Sequence, residues 1–159
     1  MTAVTLDQKG PRVSRTGKVS RYSNRSIVRD IERKLSFARY VTLPARSHEQ
    51  PFNFPGEDLE RLSEDEHERW MLQKLKDGAR YGVPRHDPSG IHDSLLPWHP
   101  TSRAALERKY GTELASRIGD VVLTDEDKDR DRNLIRNIPR ILAKAGYTVV
   151  KLTDDSESG

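Results

Sequence analysis

Cysteine is absent from the 159 residues, which removes disulfides, thiolate chemistry and Cys-based zinc sites together. That absence fits a reducing compartment, and the cytoplasm is the expected location. Long apolar runs are missing as well: none approaches the roughly 18 residues that span a bilayer, and no apolar segment follows the first charges at the N-terminus. No membrane partner is expected. Hydrophobic residues reach only 33%, equal to the charged share, so tight packing from end to end is not expected. The net charge of +3 is too small to argue for nucleic acid by itself. Catalytic signatures are lacking too. His67, His86, His92 and His99 form no His-Glu-x-x-His pair, and the chain has no Gly-x-Ser-x-Gly elbow, no phosphate-binding Gly-rich loop and no dinucleotide fingerprint. The expectation is a non-enzymatic protein without metal or cofactor.

What is present is unevenly spread. Basic residues far outnumber Asp30 and Glu32 between Lys9 and Arg46, whereas residues from Thr153 on carry only acidic charge. Residues 1–22 hold no period of 2 or 3.6 and read as a flexible basic arm. From Ser23 the pattern changes. Ile27, Ile31 and Leu35 recur every four residues, predicting an amphipathic helix that runs into a short strand, Tyr40 to Leu43, stopped by Pro44. Glu57 to Asp77 reads as helical, with Ser63 and Glu66 in the form of a capping box that would start a second helix near Ser63. Gly78 is placed to end it.

Tyr81 to Pro100 reads as a long ordered loop, the kind of segment that often carries function. Ser102 to Arg117 is expected to be helical with an interruption at Gly111, and Val121 to Leu123 to be a brief strand. A last helix covers about Asp125 to Ala145, with Pro139 marking a kink or a fresh first turn. Gly146 closes it before the strand Tyr147 to Val150.

The chain also repeats itself. Arg25, Arg29, Ile31, Arg33, Leu35, Ala38 and Tyr40 match Arg132, Arg136, Ile138, Arg140, Leu142, Ala145 and Tyr147 in step. Either two Arg-rich amphipathic helices agree by chance, or one helix–strand unit is used twice with its strands paired. The expected fold class is therefore mainly α with a few short β-strands. It is one compact domain over residues 23–152 containing two similar helix–strand units, flanked by the arm at 1–22 and an acidic tail at 153–159.

The middle of the chain holds a set of ordered motifs. They are Ser63-Glu-Asp-Glu-His67-Glu-Arg-Trp70, Gly78-Ala-Arg-Tyr81-Gly82, Arg85 with Asp87, His92, Leu96-Pro-Trp98, Asp127-Lys-Asp-Arg-Asp-Arg132, and Ile138-Pro139 with Ala145-Gly146-Tyr147. Together, over about Phe54 to Leu152, they resemble the RyR domain, the repeat of ryanodine-receptor channels that also occurs as a single domain in bacterial and phage proteins. The sequence departs from that family in carrying Ala79 where a Trp is usual, and in the extra chain around Ser102 to Val122. The resemblance implies a nucleotide-type ligand, with the Trp of His67-x-x-Trp70 stacking on a base. A role in sensing or sequestering such a signal, in a phage–host conflict or antiphage defence, is implied in the same way.

The residues themselves suggest an aromatic and cationic site. His67, Trp70 and Lys74 share one helical face, and an aromatic plane beside a cation suits a purine base with phosphates. Trp70 as a core filler and His67 as a structural histidine are the competing readings. Arg80, Tyr81 and Arg85 follow the Gly78 turn, where guanidinium groups can grip a phosphate in a bidentate way. Solvated surface charge is the simpler alternative. Lys128, Arg130 and Arg132, interleaved with Asp131 and its neighbours, either present cations near a helix start or form a salt-bridged face. With His92 and Trp98 these make the candidate ligand set. The expected partner is a nucleotide-type small molecule, with a homo-oligomer left open. The second reading is nucleic acid or an acidic protein bound through the Arg-rich N-terminal region, where aromatic interleaving is thin.

Overall fold

The computed structural model describes residues 29–46 and 52–153. The expected arm, the helix start at Ser23 and all but the first residue of the acidic tail lie outside them. The described chain is mainly α with a few short strands. Its contacts divide it into two compact units, one made from the segments up to Glu49 and from Leu142 onward, the other from Gln50 to Ile141. Sequence reading drew one domain over 23–152. The division arises because the last strand pairs with the first, gathering the two ends of the described chain into a unit of their own.

In that terminal unit a helix, α1, whose described part is 29–37, leads into β1 (Tyr40–Pro44). The last turn of α5 (Asp125–Lys144) leads in the same way into β4 (Tyr147–Lys151). The strands pair antiparallel, with Tyr40 opposite Lys151 and Pro44 opposite Tyr147. The two helix ends repeat at the level of hydrogen bonds. Ala38 N–H donates to the Leu35 carbonyl at 3.1 Å and Ala145 N–H to Leu142 at 3.0 Å, while Arg39 donates to Ser36 at 3.0 Å and Gly146 to Ala143 at 3.1 Å. Each chain then turns through a left-handed residue, Gly146 at φ 88° and Arg39 at φ 65°. Arg39 holds a conformation that ordinarily favours glycine. The side chains do not follow the repeat throughout, since Tyr40 is buried and Tyr147 is 40% exposed.

The central unit begins with α2 (Gly56–Lys76), which has Glu57 and Asp58 in its first turn and Lys74 and Lys76 in its last. Those charges complement the helix dipole at both ends. The helix start expected at Ser63 does not occur. A capping serine needs non-helical backbone, but Leu59, Leu62, Met71 and Leu75 bury one continuous face, and the Ser63 hydroxyl donates back to the Leu59 carbonyl at 2.6 Å. Glu66 turns instead to Arg69. Gly78, at φ 96°, lets its own N–H reach the Leu75 carbonyl and that of Ala79 reach Lys74, closing the helix.

The segment expected as a plain loop contains a small parallel sheet. Here β2 (Arg80–Tyr81) pairs with β3 (Ile91–His92), and a 3-10 turn at Asp87–Ser89 lies between them. Gly82 permits the close approach, because a Cβ there would meet Ile91 Cγ2 at 2.5 Å. Further on, α3 (Arg103–Tyr110) is capped by Ser102, whose hydroxyl accepts from Ala105 N–H, and Gly111 separates it from α4 (Thr112–Ala115). Val121 to Leu123 is not a strand: its ladder reduces to one bond, from Leu123 N–H to the Pro97 carbonyl. Helix α5 continues through Pro139 as a single element. The core of this unit gathers Met71, Leu75, Leu95, Leu106, Ala115 and Ile118, with Trp70 and Tyr81 packed at its margin.

Candidate functional site

Three segments of the central unit enclose a cleft of about 300 Å3. The second half of α2 contributes His67, Trp70 and Lys74; the segment after β2 contributes Arg85, His92 and Ser94; and α5, with the turn before it, contributes Leu123, Asp127, Arg130, Asp131 and Leu134. The spacing explains the convergence. On α2 the three residues fall on one face, and on α5 Asp127, Arg130, Asp131 and Leu134 lie three, four and seven residues along one stripe. The short parallel pair then folds His92 back alongside the end of α2.

Trp70 is half-buried, with its ring between two imidazoles. His67 stacks offset along it at 5.7 Å and 28°, and His92 meets it at 4.8 Å in an edge arrangement of 71°. His67 is a buried ring whose Nε2 donates to the Leu96 carbonyl at 2.7 Å, which leaves Nδ1 facing Asp131 at 3.5 Å. His92 is only 7% exposed, and its Nδ1 accepts the Ser94 N–H at 3.0 Å. The neutral ring therefore carries its proton on Nε2. Burial, and then the charge of Arg85, lower the His92 pKa from its ordinary value, with Lys74 adding to them against Asp93 and Asp87.

The cations differ in commitment. Arg85 forms a two-pronged pair with Asp87, at 2.7 and 3.1 Å, which raises the arginine pKa and lowers that of the carboxyl. The pair is exposed, where such bridges add little stability and open readily. Arg130 lies 3.8 Å from Asp127 and is 68% exposed at its side chain. The Lys74 ammonium, on a half-buried side chain beside Trp70, makes no hydrogen bond or ion pair among the described residues.

Seven of the twelve residues singled out from the sequence thus meet in one place: His67, Trp70, Lys74, Arg85, His92, Arg130 and Asp131. The other five lie outside the cleft. Arg80 is exposed on β2, and Tyr81 packs between two clusters of core side chains. Trp98 is buried with Leu96 and Leu123. Lys128 and Arg132 sit over its ring at 5.2 and 5.7 Å, and Arg132 is further held by Glu60 and Asp129, which raise its pKa. Arg132 is thereby committed to carboxylates, whereas the half-buried Lys128 ammonium over the same ring has no ion pair among the described residues. Asp127, Ser94, Leu123 and Leu134 were not singled out; the stripe through Asp131 was the available signal for Asp127 and Leu134.

A second cleft, of about 240 Å3, lies between α2 and α3 and is lined by Glu64, Glu68, Pro97, Pro100 and Tyr110 among others. Its carboxylates already hold partners, Glu64 with His99 and Glu68 with Lys109. Burial, then Glu68 and Glu64, push the Tyr110 hydroxyl well above its ordinary pKa. In the Arg-rich N-terminal region, the described part has Asp30 bridging Arg33 and Lys34. No group of three or more His, Asp or Glu suited to a metal occurs among the described residues, and none of their helices is long and apolar enough to cross a membrane. In comparisons with protein families, curated proteins and solved structures, nothing matches this chain.

Proposed function

We propose that the chain binds a small anionic ligand of nucleotide type in the cleft beside Trp70, acting as a sensor or sequestering protein rather than as an enzyme. One observation carries this reading: a half-buried indole shares a cleft with Lys74, an ammonium without an ion pair, and with two guanidinium groups on loosely held or exposed pairs. Leaving a partly desolvated ammonium unpaired is unfavourable, and an incoming phosphate supplies the missing partner. The buried N–H of His92 adds a neutral donor to the same wall. At about 300 Å3 the cleft sits at the lower end of the roughly 300–1,000 Å3 typical of small-molecule sites. That size suits a nucleoside monophosphate, a cyclic nucleotide or one end of an ADP-ribose-like molecule. The motifs similar to RyR domains point toward the same ligand class.

The test is thermal denaturation of the full chain against a panel of nucleotides. A ligand at a hundred times its dissociation constant adds about 2.7 kcal/mol of stability, and Trp70→Ala should abolish that gain while leaving a cooperative, weaker transition. Absence of stabilisation by any nucleotide, with a salt-sensitive gel shift on DNA or RNA, would overturn the proposal in favour of the Arg-rich region.

A further inference from the structure

The cleft is not uniformly cationic, and its asymmetry is informative. Lys74, Arg85 and His92 are contributed by α2 and the segment after β2, whereas α5 contributes Asp127 and Asp131 with the exposed Arg130 between them. These carboxylates are partly buried, with 25% and 20% side-chain exposure. The Arg130 guanidinium lies 3.8 Å from Asp127 and the His67 Nδ1 3.5 Å from Asp131, both beyond a good hydrogen bond. Neither carboxylate takes a shorter hydrogen bond among the described residues. Two partly buried acceptors with unused lone pairs would repel a ligand that is anionic throughout.

We infer that the cleft reads its ligand in two halves, with an anionic group at Lys74, Arg85 and His92 and neighbouring hydroxyl groups donating to Asp127 and Asp131. The inference rests on the nucleotide reading above and narrows it to ribonucleotides. In a ribonucleoside monophosphate the phosphate and the 2′,3′-diol stand at two ends of one sugar, and a diol is a pair of donors suited to acidic acceptors. A 2′-deoxy sugar removes one donor and leaves a partly buried carboxylate without its hydrogen bond, the arrangement by which polar sites discriminate most strongly. Trp70 and its flanking imidazoles then contact the base without demanding a particular one.

Calorimetric titration of the full chain with AMP, GMP, CMP and UMP, each beside its 2′-deoxy counterpart, tests this. The expected result is a preference of about tenfold or more for the ribo form. Asp127→Asn and Asp131→Asn should each weaken the ribo form; the one that removes the acceptor of the 2′-hydroxyl should shrink the preference without weakening the deoxy ligand, and the other should weaken both. Lys74→Met should weaken both sugars by the same factor. The use of two separate aspartates keeps the test decisive if the contact of Asp131 with His67 makes one variant unstable. Equal affinity for ribo and deoxy forms, or a ribo preference that survives in both aspartate variants, overturns the inference while the nucleotide reading stands. Failure of every nucleotide to bind overturns both.

Discussion

Two regions of the central unit are built from the same ingredients, an indole with basic residues around it, and they come to opposite ends. Around Trp98 the ring is 4% exposed and lies under Lys128 and Arg132, while Arg132 is clamped by Glu60 and Asp129. Around Trp70 the ring is half-buried, its neighbour Lys74 has no ion pair, and the guanidinium groups stand at the rim. A cation beside an indole is therefore not in itself a binding site. What separates the two is how far the ring is exposed and whether the guanidinium groups near it are held by carboxylates away from solvent.

The sharpest way to break that comparison is to truncate each indole. Trp98→Ala should cost about 3–5 kcal/mol of stability, as expected for deleting a fully packed aromatic side chain. Trp70→Ala should cost less, about 1–3 kcal/mol, because part of its ring already faces the cleft. Urea denaturation of the two variants reads the difference, and equal losses would erase the distinction between buttress and wall. An effect of the same order as that of Trp70→Ala is expected at Gly119, where a Cβ would meet Leu96 Cδ2 at 2.4 Å and the Tyr81 ring at 2.8 Å. Gly119→Ala should cost about 1–3 kcal/mol through overpacking. Because neither Leu96 nor Tyr81 lines the cleft, nucleotide affinity there should hold even as the denaturation midpoint falls; a parallel loss of affinity would show the two regions to be coupled.

Much of the fold was legible because helical periodicity survives translation into structure. Ile31 and Leu35, then Leu134 to Leu142, announced the helices, and Gly78, Gly111 and Gly146 marked their ends. The pairing of the strands after α1 and α5 was open in the matched residues 25–40 and 132–147. What failed was local and had a physical cause. Ser63 and Glu66 have the composition of a capping box, but cap and interior share the same letters, and only the buried stripe from Leu59 to Leu75 decides between them. The pairing of two-residue strands at Arg80 and Ile91 leaves no period to detect. For the site, His67, Trp70 and Lys74 were readable from one helix. The choice among the cations of α5 was not, because Lys128, Arg130 and Arg132 alternate with acids and only the helix rotation shows which ones face Trp98 and which the cleft.

The smallest expected effect concerns His92, which lines the cleft edge-on to Trp70. Its pKa in the folded chain lies below the ordinary 6.5, held there by burial and by Arg85 and Lys74 against Asp93 and Asp87. Above pH 6.5 the imidazole is neutral whether the chain is folded or not, so its contribution to stability is fully present. As the pH falls from there through the folded pKa, the unfolded chain takes up the proton first and that contribution is lost. The difference in urea midpoint between the natural chain and His92→Gln should therefore shift over this acidic window and stay constant above it. An anion bound against Lys74 and Arg85 offsets the charges that oppose protonation, so saturating AMP should move the window upward in pH. A window that stays fixed when AMP is bound would mean that the phosphate does not lie on the Lys74 and Arg85 side of the cleft.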